Sequence, residues 1–288
     1  MTEPRPTATD DELREALESA NIPTLLMVLA HLTGDDGWLE GDYRPTRTIA
    51  LDDNDTGGLP EARQSEIREA ALGVLAEIRD GRRAEPGPPS GRRMMDLLSA
   101  SLGERVPDEY AEAMAEDGGF RPPPWLTAPP VRGQHPTVLV IGAGLSGVAI
   151  GIALQRLGLP FTIVERNDAV GGTWLENGYP GAGVDTPSHL YSYSFAPRAD
   201  WSRYYPKRPE LLAYVQRVAR EAGLTSSIRF GTDVVSARWD EPSASWEVLL
   251  RDRDGTETRR VVDVLISAVG LFNQPAMPDL PGLDGFPG

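Results

Sequence analysis

The chain has 288 residues, with 28 Lys+Arg against 43 Asp+Glu, a formal net charge of −15 and no cysteine. That length suits about two domains and a core large enough to need no covalent staples. The missing cysteines exclude disulfide frameworks, cysteine zinc sites, iron–sulfur ligation, thiol catalysis and the redox pair of flavin-dependent disulfide reductases.

The acidic balance has the wrong sign for neutralising phosphates, so no nucleic-acid partner is expected. The longest apolar runs, Ile22 to Ala30 and Val138 to Ile141, fall far short of the ~20 residues of a membrane span, so no membrane partner is expected either. The polar stretch Met1 to Glu12 does not read as a signal peptide, and the expected location is cytoplasmic.

Charge divides the chain. Residues 1–136 hold 14 Arg and 26 Asp+Glu, net −12, whereas 137–288 hold 13 Arg, one Lys and 17 Asp+Glu, net −3. Between them runs Arg121-Pro-Pro-Pro-Trp-Leu-Thr-Ala-Pro-Pro-Val-Arg-Gly-Gln-His-Pro136, whose prolines lack donors and push their neighbours toward extended backbone. The expected organisation is a helical module over 1–120, a semi-rigid linker over 121–136 and an α/β unit over 137–288.

In the helical module Asp10 or Asp11 is expected to cap a helix over about 12–20. Pro23 suits the first turn of a second helix with Leu25, Leu26, Val28, Leu29 and Leu32 inward, stopped by Gly34. A third begins near Pro60 and places Ile67, Ala70, Ala71, Val74, Leu75 and Ile78 at helical spacing before Gly81. Two shorter helices are expected near 91–102 and 107–117. His31 reads as a packed or surface histidine. Asp35-Asp36 and Asp52-Asp53-Asn54-Asp55 lack the twelve-residue calcium-loop pattern and read as solvated loops, so no metal ligands are expected. With no chemistry of its own, the module is expected to serve packing or a homodimer contact.

After the linker, Pro136-Thr-Val-Leu-Val-Ile141 is the continuous apolar run of a strand buried on both faces. It leads into Gly142-Ala143-Gly144-Leu145-Ser146-Gly147, then an apolar helix (Val148, Ala149, Ile152, Ala153, Leu157) ending at Gly158, then Pro160-Phe-Thr-Ile-Val-Glu165. Strand, glycines, helix, second strand and terminal acid make a dinucleotide-binding β-α-β unit. Gly142 permits the tight turn, Gly144 lets backbone approach a pyrophosphate at the helix N-terminus, and Gly147 lets helix and strand pack closely. Glu165 is placed to accept from ribose hydroxyls, which favours FAD or NAD over a 2′-phosphorylated nucleotide.

The stretch Glu165-Arg-Asn-Asp-Ala-Val-Gly-Gly-Thr-Trp174 adds a glycine pair behind the ribose acid. Asn177-Gly-Tyr-Pro-Gly-Ala-Gly-Val-Asp185 follows, then Tyr191-Ser-Tyr-Ser-Phe195, Tyr205-Pro-Lys-Arg-Pro-Glu210, Ile228-Arg-Phe-Gly-Thr-Asp-Val234 and Asp263-Val-Leu-Ile-Ser-Ala-Val-Gly270, with Pro275, Pro278 and Pro281-Gly282. On these motifs, residues from about 136 to 288 resemble class B flavoprotein monooxygenases, in particular Baeyer–Villiger monooxygenases. Asn21-Ile-Pro-Thr-Leu-Leu26 and Ala30-His-Leu-Thr-Gly34 resemble the extension of 4-hydroxyacetophenone monooxygenase and its relatives.

The resemblance implies a Rossmann-like FAD-binding domain behind an all-α module, with NADPH as co-substrate, and O2 and an aryl ketone as reactants giving an ester. It assigns Gly142, Ala143, Gly144, Leu145, Ser146 and Gly147 to the FAD pyrophosphate, Glu165 and Arg166 to the ribose region, and Gly172, Thr173 and Trp174 to the flavin end. Asp185 is carried over as a catalytic residue, Tyr191 to the flavin pocket and Val234 to the adenine. Tyr191 and Tyr193 read equally well as alternate faces of a strand-like segment, and His189 is not taken as catalytic. Gly183 stands where the family pattern Tyr-Pro-Gly-x-Arg-x-Asp has Arg. The fingerprint F-x-G-x-x-x-H-x-x-x-W opens at Phe286-Pro-Gly288, so its His and Trp, a second GxGxxG for NADPH and the active-site arginine are expected beyond residue 288 and the FAD domain is expected to be incomplete, insufficient alone for turnover. The other readings are a related N- or S-oxygenating flavin monooxygenase and a non-catalytic flavin-binding fragment.

Overall fold

A computed structural model describes residues 8–46, 54–133, 135–271, 273 and 276–285. Asp52, Asp53, Pro275 and Phe286-Pro-Gly288, cited above, lie outside the described residues. Two compact units divide the chain, Met1–Arg121 and Pro122–Gly288.

The first unit is helical: α1 (Asp10–Glu18), α2 (Ile22–Thr33), α3 (Glu61–Arg79), α4 (Gly91–Leu102) and α5 (Ala111–Asp117). The cap of α1 is Thr9, not Asp10 or Asp11. Its hydroxyl accepts from the Glu12 amide while the Glu12 carboxylate accepts from the Thr9 amide, a reciprocal pair that two acidic residues inside the first turn cannot make. Asn21 caps α2 and Gly34 ends it in the left-handed conformation. Ile22, Leu25, Leu26 and Leu29 are buried against Ile67, Ala71, Val74 and Ile78 of α3. Val28, expected inward, is 36 % exposed because it falls outside the stripe formed by 22, 25, 26 and 29.

His31 is packed edge-on to Phe120, with ring centroids 6.3 Å apart. Asp35 accepts from the Gly37 amide and Asp36 pairs with Arg93, so local partners neutralise this acidic loop.

The second unit opens with the short helix α6 (Pro124–Thr127). Part of the stretch expected as a semi-rigid linker packs within the second unit. Trp125 packs edge-on to Phe195 at 5.4 Å, and the Val131 amide donates to Leu157 O at 2.9 Å. Then follow β1 (Val138–Ile141), α7 (Leu145–Arg156), β2 (Phe161–Glu165), α8 (Thr173–Glu176), α9 (Arg208–Glu221), β3 (Ile228–Phe230), β4 (Thr232–Asp240), β5 (Ser245–Asp252), β6 (Glu257–Val262) and β7 (Val264–Ser267).

A four-stranded parallel sheet has the order β3-β2-β1-β7, and β4-β5-β6 form an antiparallel sheet. This mixed α/β unit is Rossmann-like. The apolar run of β1 is explained by cover on both faces. Val138 and Val140 join Val148, Ile152, Leu211 and Val215 of the helices, whereas Leu139 packs with Val248, Leu250 and Val262 of the antiparallel sheet. The helix–sheet sandwich holds the C-terminal ends of β1 and β2 side by side, and the site is built there.

Candidate functional site

At the head of β1 the chain turns through Gly142 (φ 98°) into α7. A Cβ on Gly147 would stand 1.9 Å from Gly142 O, so this crossing admits no side chain. The N-cap of α7, Gly144, supplies no side-chain acceptor, and the first amides of the helix have no partner within it. A second loop is locked to the first: Gly171 N donates to Ala143 O at 3.1 Å. A Cβ on Gly172 would come within 2.9 Å of Gly144 Cα, so the two glycine loops cross backbone on backbone. The tight approach expected of Gly144 toward a ligand is thus made first toward Gly172.

These loops enclose one side of a cavity of about 520 Å³. Of the residues singled out in the sequence, Gly142, Gly144, Leu145, Ser146, Glu165, Arg166, Gly172, Thr173, Trp174, Tyr191 and Val234 line it. Ala143 is fully buried behind the loop, and Gly147 faces the strand. Asp185 is exposed and does not line the cavity, although its carboxylate acts on the Tyr191 phenol. His189 is likewise exposed, next to Ser188 at 3.5 Å.

Glu165 is buried at the tip of β2, 5 % exposed. One carboxylate oxygen accepts from Ala143 N at 2.7 Å; the other accepts from Asn167 N at 2.9 Å and Asn167 Nδ2 at 2.8 Å. Three of roughly four acceptor positions are therefore filled by the protein, leaving room for about one donor from a ligand instead of a ribose hydroxyl pair. The same Asn167 amide reaches Glu176 at 2.8 Å, and Glu176 also accepts from Arg166 Nε at 3.0 Å and Nη2 at 2.8 Å. Arg166 Nη2, just past the end of β2, then donates to Asn273 O at 3.1 Å. Burial pushes the Glu176 carboxyl up, but Asn167 and Arg166 outweigh it and hold the group below the usual range.

Trp174 is 7 % exposed and its indole N–H has no geometric hydrogen-bond partner among the described residues. Its ring meets Tyr191 edge-to-face at 5.7 Å. Tyr191 and Tyr193 do not lie on a strand. Turns occupy 188–195, and they send Tyr191 to the cavity while Tyr193 packs against Phe195 and Tyr214. The phenol of Tyr191 is raised by burial; the Trp174 indole opposes this and Asp185 adds to it. Gly183 bridges to Lys207 on an antiparallel segment, and a Cβ at 183 would stand 2.9 Å from Lys207 Cδ.

Sequence reasoning missed several wall residues. Thr232 and Asp233 of β4 were hidden because that sheet was not anticipated; Glu176 lies one turn beyond Thr173, a spacing that could have found it. An uncapped helix N-terminus, a glycine crossing, a buried acid and an orphaned indole donor together fit a dinucleotide with an anionic centre.

Residues 140–207 match the family model described as an NAD(P)-binding Rossmann-like domain. Over 280 residues, 96 % of this chain and 41 % of the other, the chain is 42 % identical to an uncharacterized monooxygenase, y4iD, of Sinorhizobium fredii; a match of that extent takes in both units. It is 42 % identical over 156 residues (54 % of this chain, 29 % of the other) to a Baeyer–Villiger monooxygenase of Streptomyces coelicolor. A crystal structure of OTEMO complexed with FAD and NADP has 36 % identity and a TM-score of 0.48, covering 54 % of this chain and 29 % of that one. The chain therefore spans well under half the length of the relatives it matches. The relatives it matches include a Baeyer–Villiger monooxygenase and FAD-binding monooxygenases.

Proposed function

We propose that the cavity at the head of α7 binds FAD, and that the whole protein is an NADPH- and O2-dependent Baeyer–Villiger monooxygenase converting aryl ketones to esters. The observation that carries the reading is the crossing of the Gly142–Gly147 and Gly171–Gly172 loops over the open N-terminus of α7, with Glu165 at the adjoining strand tip. Bound there, FAD would supply hydride acceptance and oxygen activation, chemistry no side chain provides.

The chain's own residues bind and orient. Amides of Leu145 and Ser146 and the helix dipole meet the pyrophosphate. Glu165, already held by Ala143 and Asn167, takes one ribose hydroxyl, and its charge disfavours a 2′-phosphate at this position. The Arg166–Glu176 pair and Val234 border the adenine side. Trp174 and Tyr191 shield the other wall from water.

The aryl-ketone assignment rests on the similarity of Asn21-Ile-Pro-Thr-Leu-Leu26 and Ala30-His-Leu-Thr-Gly34 to the 4-hydroxyacetophenone monooxygenase extension. FAD titration of this chain, followed by quenching of flavin fluorescence, tests the first part: saturable binding is expected, and its absence overturns the reading. Turnover of acetophenones against amines and sulfides by the whole protein tests the second. Ester formation is expected, and oxygenation only of nitrogen or sulfur overturns it.

A further inference from the structure

A separate cavity of about 570 Å³ lies between the 197–200 segment and α9, and none of its lining residues borders the cavity at the head of α7. Its charged lining is Arg198, Arg217 and Arg220 against Asp200 alone, a positive hollow in a chain of net charge −15. Arg198 is held firmly. Its side chain is 18 % exposed, its guanidinium lies 4.6 Å over the Trp201 ring, and its Nε donates to Asp200 Oδ1 at 2.7 Å. Nη2 donates to Asp200 O at 3.1 Å and pairs with Glu210 at 3.3 Å, which leaves Nη1 without a partner among the described residues.

Arg217 spends only Nη1, on Glu221 at 3.0 Å. Arg220 stands three residues on, on the same helix face, and its side chain has no ion pair or hydrogen bond among the described residues. The Asp200 carboxyl is held below its usual range by the Arg198 hydrogen bond first and by the Arg217 charge as well, so both arginines bear on one place. Tyr214 walls the hollow, but its hydroxyl is already spent on Tyr193 N and Ala196 O. Unspent guanidinium donors from three side chains therefore outnumber what Asp200 can accept. Arg220 also complements the helix dipole in the last turn of α9, a role that does not bring Arg198 from another segment to the same hollow.

We propose that this hollow binds a phosphate dianion, free or as the monoester of a small molecule. A phosphate monoester carries about −1.5 to −2 charge near neutrality and three strong acceptor oxygens, which suits three guanidinium forks converging from two segments. A carboxylate offers two oxygens and one charge, too few for those donors. The site does not rest on the FAD reading, because the two cavities share no lining residue.

Calorimetric titration of the chain with phenyl phosphate, inorganic phosphate and benzoate at one low ionic strength tests this. Saturable binding of both phosphates is expected, with benzoate about tenfold weaker or more. Tighter binding of phenyl phosphate marks an ester as the occupant, tighter binding of inorganic phosphate the free anion, and either supports the site. Benzoate binding as tightly as phenyl phosphate overturns the phosphate assignment, as does no binding at all. Arg217→Gln and Arg220→Gln are each expected to weaken phosphate about tenfold, the size of one charge-assisted hydrogen bond, and to leave FAD affinity unchanged. Phosphate binding that survives both substitutions, or that FAD displaces, puts the anion at the open N-terminus of α7 and overturns the site. A chain that binds phosphate at these arginines and not FAD overturns the FAD reading alone.

Discussion

Tyr193 shows how one side chain serves the site without touching it. Its hydroxyl donates to Leu145 O, in the first turn of α7, at 2.7 Å. Its own amide donates to the Tyr214 hydroxyl at 2.8 Å, which in turn donates to Ala196 O at 2.9 Å. Burial drives the Tyr193 phenol far above its ordinary value, so it stays a neutral donor throughout the range in which the protein is handled. Tyr193→Phe is therefore expected to cost about 1 kcal/mol of stability, measured by urea unfolding. Because the deprotonated form is absent in both states near neutrality, the cost should be the same at about pH 6 and about pH 8. A cost that vanished at one of these would show that the hydroxyl is not the donor. Tyr191 and Tyr193 stand two residues apart, a spacing that a strand would put on one face, so their different surroundings come from the turns and not from the alternate strand faces expected above. The turn that separates them depends on Tyr214, some twenty residues on, which no local pattern contains.

Among elements, glycine means opposite things in α7 and α3. Gly147 sits where a Cβ would lie 1.9 Å from the Gly142 carbonyl oxygen, backbone that cannot move without opening the loop. Gly147→Ala is expected to cost about 3 kcal/mol and to abolish FAD binding. Gly73 lies exposed in the middle of α3 with no described residue within 4 Å of its missing Cβ. Gly73→Ala is expected to stabilise by about 0.5–1 kcal/mol, since alanine loses less backbone entropy in a helix. Paired thermal melts check both signs, and destabilisation at Gly73 would mean that the helix surface there is covered. The β1-α7-β2 unit was legible because strand burial on two faces, glycine spacing and the terminal acid are all local. The antiparallel sheet was not. Most of β4 is exposed, and a register shift between Val234 and Ser236 breaks the alternation that would have announced a strand. Its absence from the sequence reading is why Thr232 and Asp233 went unseen at the cavity.

On the scale of the whole molecule, the two units have separate cores and unlike charge. Residues 1–136 carry net −12 and 137–288 net −3, so self-repulsion is concentrated on the helical side. The composition gave this asymmetry directly, and the helix positions followed from apolar periodicity. The anchored Trp125 did not, because nothing in a proline-rich stretch says what its one large ring will meet. Raising salt from about 10 mM to about 100 mM shortens the screening length from roughly 30 Å to roughly 10 Å. That change is expected to raise the unfolding midpoint of the acidic helical unit and to leave the other nearly in place. FAD at about a hundred times its Kd is expected to do the reverse, adding about 2.7 kcal/mol to the unit that contains the cavity. Scanning calorimetry over both variables separates the two effects. Salt and FAD moving one common transition would show instead that the units unfold as a single cooperative block, with the charge of one linked to the ligand of the other.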